Sequence, residues 1–139
     1  MTDKTPPMAL PIGRGLRGRC PRCGEGRLFR AYLKPVDSCS VCGEDLSHQR
    51  ADDAPPYITI VIVGHLLVPT MLTVQALTDF SVVTYLAMYL PATAAMAFGL
   101  MQPVKGAVVG LQWALRMHGF DGSADPDAAP EGFLPTSRP

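Results

Sequence analysis

Two apolar stretches, at about 57–78 and 82–102, limit most strongly what this chain can fold into. The single Asp, Glu, Lys or Arg residue between Asp53 and Lys105 is Asp79, in the short link between the stretches. A bilayer core about 30 Å thick is crossed by about 20 helical residues. The remaining sequence is too short to bury two helices that are apolar on every side. The sequence therefore predicts a mainly α-helical membrane protein built on a transmembrane helical hairpin.

The distribution of positive charge predicts how this hairpin is oriented. Nine of the twelve Lys and Arg residues lie at or before Arg50, and Lys105 and Arg116 follow the second stretch, whereas the link between the stretches contains neither type. Basic flanks stay on the cytoplasmic side of a membrane. We therefore expect a multi-pass protein of the bacterial inner (cytoplasmic) membrane, with both termini in the cytoplasm and the lipid bilayer as its first partner.

The segments outside the hairpin are mostly polar. Pro and Gly residues without an apolar period predict a flexible basic arm over residues 1–18. A short run of polar residues that ends in two prolines predicts a linker over residues 47–56. Acidic residues and prolines predict a disordered tail over residues 119–139.

Residues 103–118 have apolar positions at helical spacing. They predict either an interfacial amphipathic helix, with Trp113 at the headgroups, or an extended continuation of the second span that ends near His118. Gly106 and Gly110 form a small-xxx-small motif, which predicts close helix packing either within the chain or in a homo-oligomer.

All four cysteines lie in a module over residues 19–46. They form two Cys-x-x-Cys-Gly turns that are separated by fifteen residues, a spacing typical of zinc sites: Cys20, Cys23, Cys39 and Cys42. Four thiolates close a tetrahedral structural site, and the segment between the turns predicts a short β-hairpin, as in a zinc ribbon. Zinc is the expected cofactor. Iron in a rubredoxin-like electron carrier is the alternative, and thiol–disulfide chemistry is a third interpretation.

His65 is the ionisable residue in the middle of the first apolar stretch, and such residues are functional candidates by default. Pro69 leaves the His65 carbonyl without its helical donor. Together the two residues form a candidate intramembrane polar site for copper or haem, with thioether ligands available nearby from Met71, Met88, Met96 and Met101. The competing interpretation is that His65 donates a hydrogen bond to a carbonyl across the hairpin and the methionines fill gaps.

Three polar residues precede the first apolar stretch: His48, Asp52 and Asp53. They form a candidate site at the membrane boundary. The simpler interpretation is that one of the aspartates caps the first helix ahead of two prolines.

Seven basic residues surround the cysteine turns: Arg14, Arg17, Arg19, Arg22, Arg27, Arg30 and Lys34. Such a cluster is found in nucleic-acid-binding ribbons. It also attracts a protein to an anionic membrane surface and fixes its topology. Because two apolar helices follow so closely, the second interpretation is favoured and a nucleic-acid partner is not expected.

In combination, these features resemble a bacterial family catalogued as domain of unknown function nine hundred and eighty-three. The resemblance is carried by both cysteine turns, by Ser47-His48-Gln49-Arg50-Ala51-Asp52-Asp53, by Val63-Gly64-His65 and by Pro103 to Trp113. It implies a small integral membrane protein. Members are often encoded near cytochrome oxidase assembly genes, which suggests work around a respiratory haem–copper complex.

Taken together, these patterns predict no enzyme, because they contain neither a paired acid–base nor a nucleophile constellation. The expected role is a non-enzymatic accessory or assembly factor of a respiratory membrane complex, with a structural zinc site. Copper or haem handling through His65 and a membrane-bound iron electron carrier are the alternatives.

Overall fold

The computed structural model describes residues 7–50 and 53–120. Three helices and one two-stranded sheet follow in the order α1 (Ala9–Leu16), β1 (Phe29–Ala31), β2 (Lys34–Pro35), α2 (Ala54–Leu77) and α3 (Val82–Ala114). The first six residues of the predicted arm, Asp52 and most of the predicted tail lie outside the described residues.

Helices α2 and α3 form an antiparallel hairpin. At the link, the hydroxyl oxygens of Thr78 and Tyr85 are hydrogen-bonded at 3.0 Å. At the opposite end of the hairpin, the Thr59 hydroxyl lies 4.0 Å from the Met101 sulfur. Both helices are long and apolar enough to cross a membrane, and their most apolar windows are 11% and 0% buried, unlike the core helix of a soluble protein.

Local sequence explains where these two helices begin. Ser81 precedes α3 and its hydroxyl accepts from the Thr84 amide at 3.4 Å, as an N-cap does. Asp53 precedes α2 but its side chain makes no capping hydrogen bond. The capping interpretation is therefore wrong for Asp53. Prolines in the first turn of α2 instead remove donors that would have no intrahelical partner.

Helix α3 is continuous over 33 residues, which corresponds to about 50 Å. Pro103 lies inside it, so residues 103–114 extend the second apolar helix, and a separate interfacial helix is not formed. The helix ends at Ala114, before the predicted end near His118. His118 has a positive φ of 55° and lies beyond the last turn.

Helix α1 lies within the segment that was expected to be flexible, and it packs against the C-terminal part of α3. Pro11 does not prevent this helix from forming, because it lies in the first turn. A proline there removes a backbone donor that has no intrahelical partner. Pro11 and Gly15 are buried in this contact. The expectation of a flexible arm over residues 1–18 is therefore wrong for its second half.

The four-cysteine module, residues 19–46, contains the predicted β-hairpin. Strands β1 and β2 are antiparallel and pair Phe29 with Pro35, and Leu33 adopts a positive φ of 61° in the turn between them. A small apolar core joins the module to α3, with Leu28, Leu46 and Val109 fully buried. We call α1, this module and residues 104–114 of α3 the head.

Candidate metal centre

The two cysteine turns have matching backbone hydrogen bonds. The Gly24 amide donates to the Cys20 carbonyl at 2.8 Å, and the Gly43 amide donates to the Cys39 carbonyl at 2.9 Å. Both glycines have positive φ, 77° and 71°, as the motif predicts. Each turn consequently directs its two sulfurs to the same side of the backbone.

The four sulfur atoms form a compact cluster in which all lie within 4.8 Å of one another. Cys20 and Cys42 are 3.7 Å apart and Cys23 and Cys39 are 3.8 Å apart, measured between sulfurs. Four sulfurs at about 2.3 Å from a central zinc ion are about 3.8 Å apart in a regular tetrahedron. A disulfide needs about 2.05 Å, so the spacing fits a shared ion and all four thiols are free.

The thiols of the first turn differ in acidity. Hydrogen bonds from the Gly26 and Glu25 amides lower the pKa of Cys23 from 9.0 to about 6, with N···S distances of 3.5 and 3.4 Å. Burial raises the pKa of Cys20 to about 12. Cys23 is therefore ready to bind a cation as thiolate, whereas Cys20 must lose a proton first.

Gly26 keeps space for the cluster, although the sequence analysis did not single it out. A Cβ atom added there would overlap the Cys39 sulfur and lie 3.8 Å from Cys20 Cβ. The sequence signal for this close approach is a glycine three residues after Cys23, because a side chain at that position would occupy the space of the sulfur cluster. Four thiolate ligands would leave an ion in this cluster no open coordination position.

Charged side chains attach both turns to neighbouring elements. From α1, Arg14 donates to the carbonyls of Pro21 and Arg22 at 3.1 and 2.6 Å. In the second turn, Glu44 accepts from Arg22 at 2.9 Å and from the Trp113 indole at 2.8 Å. Trp113 is half-buried and contacts the second cysteine turn, and its expected place at the headgroups stays a prediction.

A second connection joins the linker to α3. Gln112 is buried, and its side-chain oxygen accepts from the Arg50 amide at 3.1 Å while its nitrogen donates to the Arg50 carbonyl at 2.8 Å. This pair of hydrogen bonds gives a partner to both the oxygen and the nitrogen of the buried Gln112 side chain. The contact spans 62 positions in the chain, so no local sequence pattern signals it.

Within the described residues, His65 belongs to no group of three or more His, Cys, Asp or Glu side chains that could hold a metal ion. Its Nδ1 lies 2.8 Å from the Val61 carbonyl of the same helix, and the residue is exposed on the outer side of α2. This partner differs from the expected one across the hairpin. Pro69 does lie inside α2 and shares an open groove with His65. Among the described residues, the four cysteines are the only group of three or more His, Cys, Asp or Glu side chains suited to a metal ion.

The candidate boundary site is described only in part, through His48 and Asp53. His48 Nε2 lies 3.4 Å from an Asp45 carboxylate oxygen, and its ring meets Phe120 edge-on at 5.9 Å. Asp53 is exposed at the start of α2, and Asp52 lies outside the described residues. His48 is therefore a neighbour of the second cysteine turn.

The small-xxx-small motif packs within the chain. A Cβ atom added to Gly106 would overlap the Gly15 carbonyl, and one added to Gly110 would overlap the Pro11 carbonyl. Both glycines are buried. The motif therefore brings α1 into backbone contact with α3 and is not available for pairing with a second copy.

Comparison with known proteins places the chain in a family. A family model described as a protein of unknown function (DUF983) matches residues 29–113, which is more than half of the 139 residues. The match includes Cys39 and Cys42 and both long helices, and the first cysteine turn and α1 precede it. No curated protein and no solved structure matches. The chain belongs to the DUF983 family of proteins of unknown function.

Proposed function

We propose that this chain is an integral membrane protein whose cysteine cluster holds a structural zinc ion and whose role is non-enzymatic, as an accessory or assembly factor of a membrane complex. The observation that carries the proposal is the four-sulfur cluster docked on α3. Such a cluster offers an ion no open position for substrate. The bound ion then stabilises the fold of the head at the end of the apolar hairpin.

The exposed apolar surface of the hairpin supports membrane insertion. The large side chains of Tyr57, Ile60, Leu77 and Phe98 are 71%, 68%, 78% and 69% exposed. An apolar surface of this extent is covered in a native protein, and a bilayer covers it on all sides. The basic head then lies on the cytoplasmic side of the bacterial inner membrane, and both ends of the chain lie with it.

The partner is proposed from the family resemblance. Association of such families with cytochrome oxidase assembly genes favours a respiratory complex of the haem–copper type, with the head as a rigid docking module. An assembly factor needs a stable surface more than a reactive group, and a closed metal site supplies rigidity to a module with a small core.

Elemental analysis with a visible spectrum tests the metal. We expect one colourless zinc per chain in tag-free protein purified in detergent, and none in a Cys39→Ser/Cys42→Ser variant. Iron with thiolate charge-transfer bands would replace the proposal by the electron-carrier alternative. Copper or haem that is lost in a His65→Ala variant with intact zinc would favour the handling role.

A pull-down from native membranes tests the partner. We expect the wild-type chain to recover respiratory subunits and the cysteine variant to recover fewer, because its head is not held in shape. Recovery of unrelated membrane proteins at equal levels by both chains would contradict the proposed role.

A further inference from the structure

An arginine-lined pocket lies where the head meets α3. It has a volume of about 360 Å³, and six of its lining residues carry the argument: Arg17, Arg19, Glu25, Arg27, Phe29 and Gln102. A smaller pocket beside it also contains Arg17 and Gln102. Three guanidinium groups against one carboxylate give the lining a net positive charge, and the pocket is therefore suited to an anion.

Backbone pairing places two of these charges side by side. Arg19 and Arg27 form an antiparallel β-bridge, and partners in such a bridge direct their side chains to the same face of the ribbon. Like charges placed opposite each other are unfavourable. Within residues 7–50 and 53–120, none of the three pocket arginines forms an ion pair with a carboxylate. A bound anion would offset this repulsion.

The pocket lies at a defined level along α3. The charge-free stretch Val82–Met101 corresponds to about 30 Å of helix, which matches the thickness of a bilayer core. Gln102, at the pocket, is the next residue. Phe98 is one turn deeper on the same face of α3 and is 69% exposed. An anionic group held at Gln102 therefore has an apolar surface directly below it.

The β-hairpin of the head reaches the same level. Tyr32, in the segment between β1 and β2, donates a hydrogen bond from its hydroxyl to the Phe98 carbonyl. Its ring is 48% exposed, and tyrosines of this kind are enriched at the headgroup level of membranes. This contact brings the module and its arginines down to the boundary, independently of the pocket lining.

We propose that this pocket binds the phosphate of an anionic phospholipid headgroup, with the acyl chains along α3 at Phe98. The inference rests on the proposed membrane insertion. It goes beyond general attraction of a basic protein to a membrane, because it assigns one site to three arginines and Gln102. Arginine suits this task, since its planar guanidinium binds phosphate oxygens in pairs.

Native mass spectrometry of the full-length protein, titrated in detergent with phosphatidylglycerol or phosphatidylcholine, tests the site. The pocket variant is Arg19→Gln/Arg27→Gln. The matched control, Arg30→Gln/Lys34→Gln, removes the same charge from β1 and β2. Each arginine near anionic lipid contributes roughly fivefold in affinity. We expect phosphatidylglycerol affinity to fall about tenfold or more in the pocket variant and to change less than about threefold in the control. Arg19→Lys/Arg27→Lys should lose less affinity than the glutamine variant, because it keeps the charge and loses only the paired guanidinium contacts.

Several results would overturn the proposal. Equal losses in both glutamine variants would reduce the site to general surface charge. Equal binding of phosphatidylcholine would remove the anion specificity. Displacement of the lipid by equimolar inorganic phosphate or a short oligonucleotide would identify a soluble ligand. Alkaline extraction of membranes separates the two failures: a chain released from membranes contradicts the proposed function, whereas a retained chain without lipid preference contradicts only this site.

Discussion

Gly15 of α1 and Gly106 of α3 meet backbone to backbone, so that a Cβ atom on either residue would overlap the carbonyl oxygen of the other. The opposing atoms belong to the main chain and cannot move aside as a flexible side chain does. The contact therefore fixes the separation of the two helices and, through α1, the position of the first cysteine turn.

We expect Gly15→Ala to destabilise the head by about 1–3 kcal/mol, because an added methyl group in a close-packed contact forces the backbone apart. Gly99→Ala is the matched control, since a Cβ atom there meets nothing within 4 Å and alanine favours a helix. Thermal unfolding in detergent measures both. A Gly15→Ala protein as stable as the control would contradict this packing.

Loss of the Gln112 pairing should separate the linker from α3. Gln112→Ala leaves the amide and carbonyl of Arg50 without this partner, and we expect a cost of about 1–3 kcal/mol. Gln75→Ala makes the same change at an exposed position. Hydrogen exchange at the Arg50 amide is the direct measurement, and unchanged protection would show that the pairing does not hold the linker.

Trp113 should report on the metal. It is the single tryptophan, and its indole donates to Glu44, two residues after Cys42. Removing the ion with a chelator should loosen this turn and hydrate the indole, so we expect the emission to shift to longer wavelength. The Cys39→Ser/Cys42→Ser variant should show the shifted emission from the start and not respond to chelator. A wild-type spectrum that ignores metal loss would contradict the coupling.

Metal binding should weaken as the pH falls. Without metal, Cys20 stays protonated up to a pKa of about 12 and Cys23 is a thiolate above a pKa of about 6. All four groups are thiolates when they hold an ion. Binding therefore releases the Cys20 proton at neutral pH, and one further proton from Cys23 below pH 6.

Calorimetry in buffers of different ionisation enthalpy measures that release. We expect more protons per ion at pH 5 than at pH 7.5, with Cys23 contributing about one of them. The stability of the metal-free fold should change with pH in the same direction. The lowered pKa of Cys23 stabilises the folded state fully above pH 9.0, the pKa of the unfolded chain, and this contribution is lost as the pH falls through about 6. A constant proton count would contradict the assignment of Cys23.

Local patterns predicted the features that depend on neighbouring residues. The spacing of Cys20, Cys23, Cys39 and Cys42 indicated one cluster, and the structure brings the four sulfurs together. The β-hairpin between the turns and the family membership are likewise confirmed. The cluster and the β-hairpin follow from the spacing of residues within one short segment, which a sequence displays directly.

Contacts between distant segments were not predictable in this way. Helix α1 contains Pro11, Gly13 and Gly15, whose low helix propensity favours a flexible segment, and its packing on α3 overrides that propensity. A tryptophan near the end of an apolar helix favours the headgroup level, and this tendency gives no sign of the contact that Trp113 makes in the head. Its partner, Glu44, is 69 positions away in the chain and has no local signature.

The docking of residues 104–114 onto the cysteine module joins parts of the head that are synthesised at different times. The ribosome produces both cysteine turns first, then α2 and the apolar first part of α3, and the last turns of α3, with Val109, Gln112 and Trp113, come after these. The buried core that joins Leu28 and Leu46 to Val109 can therefore form only after α2 and most of α3 have been synthesised. The head is therefore complete only when α2 and α3 have formed the antiparallel hairpin that lies between its two parts in the sequence.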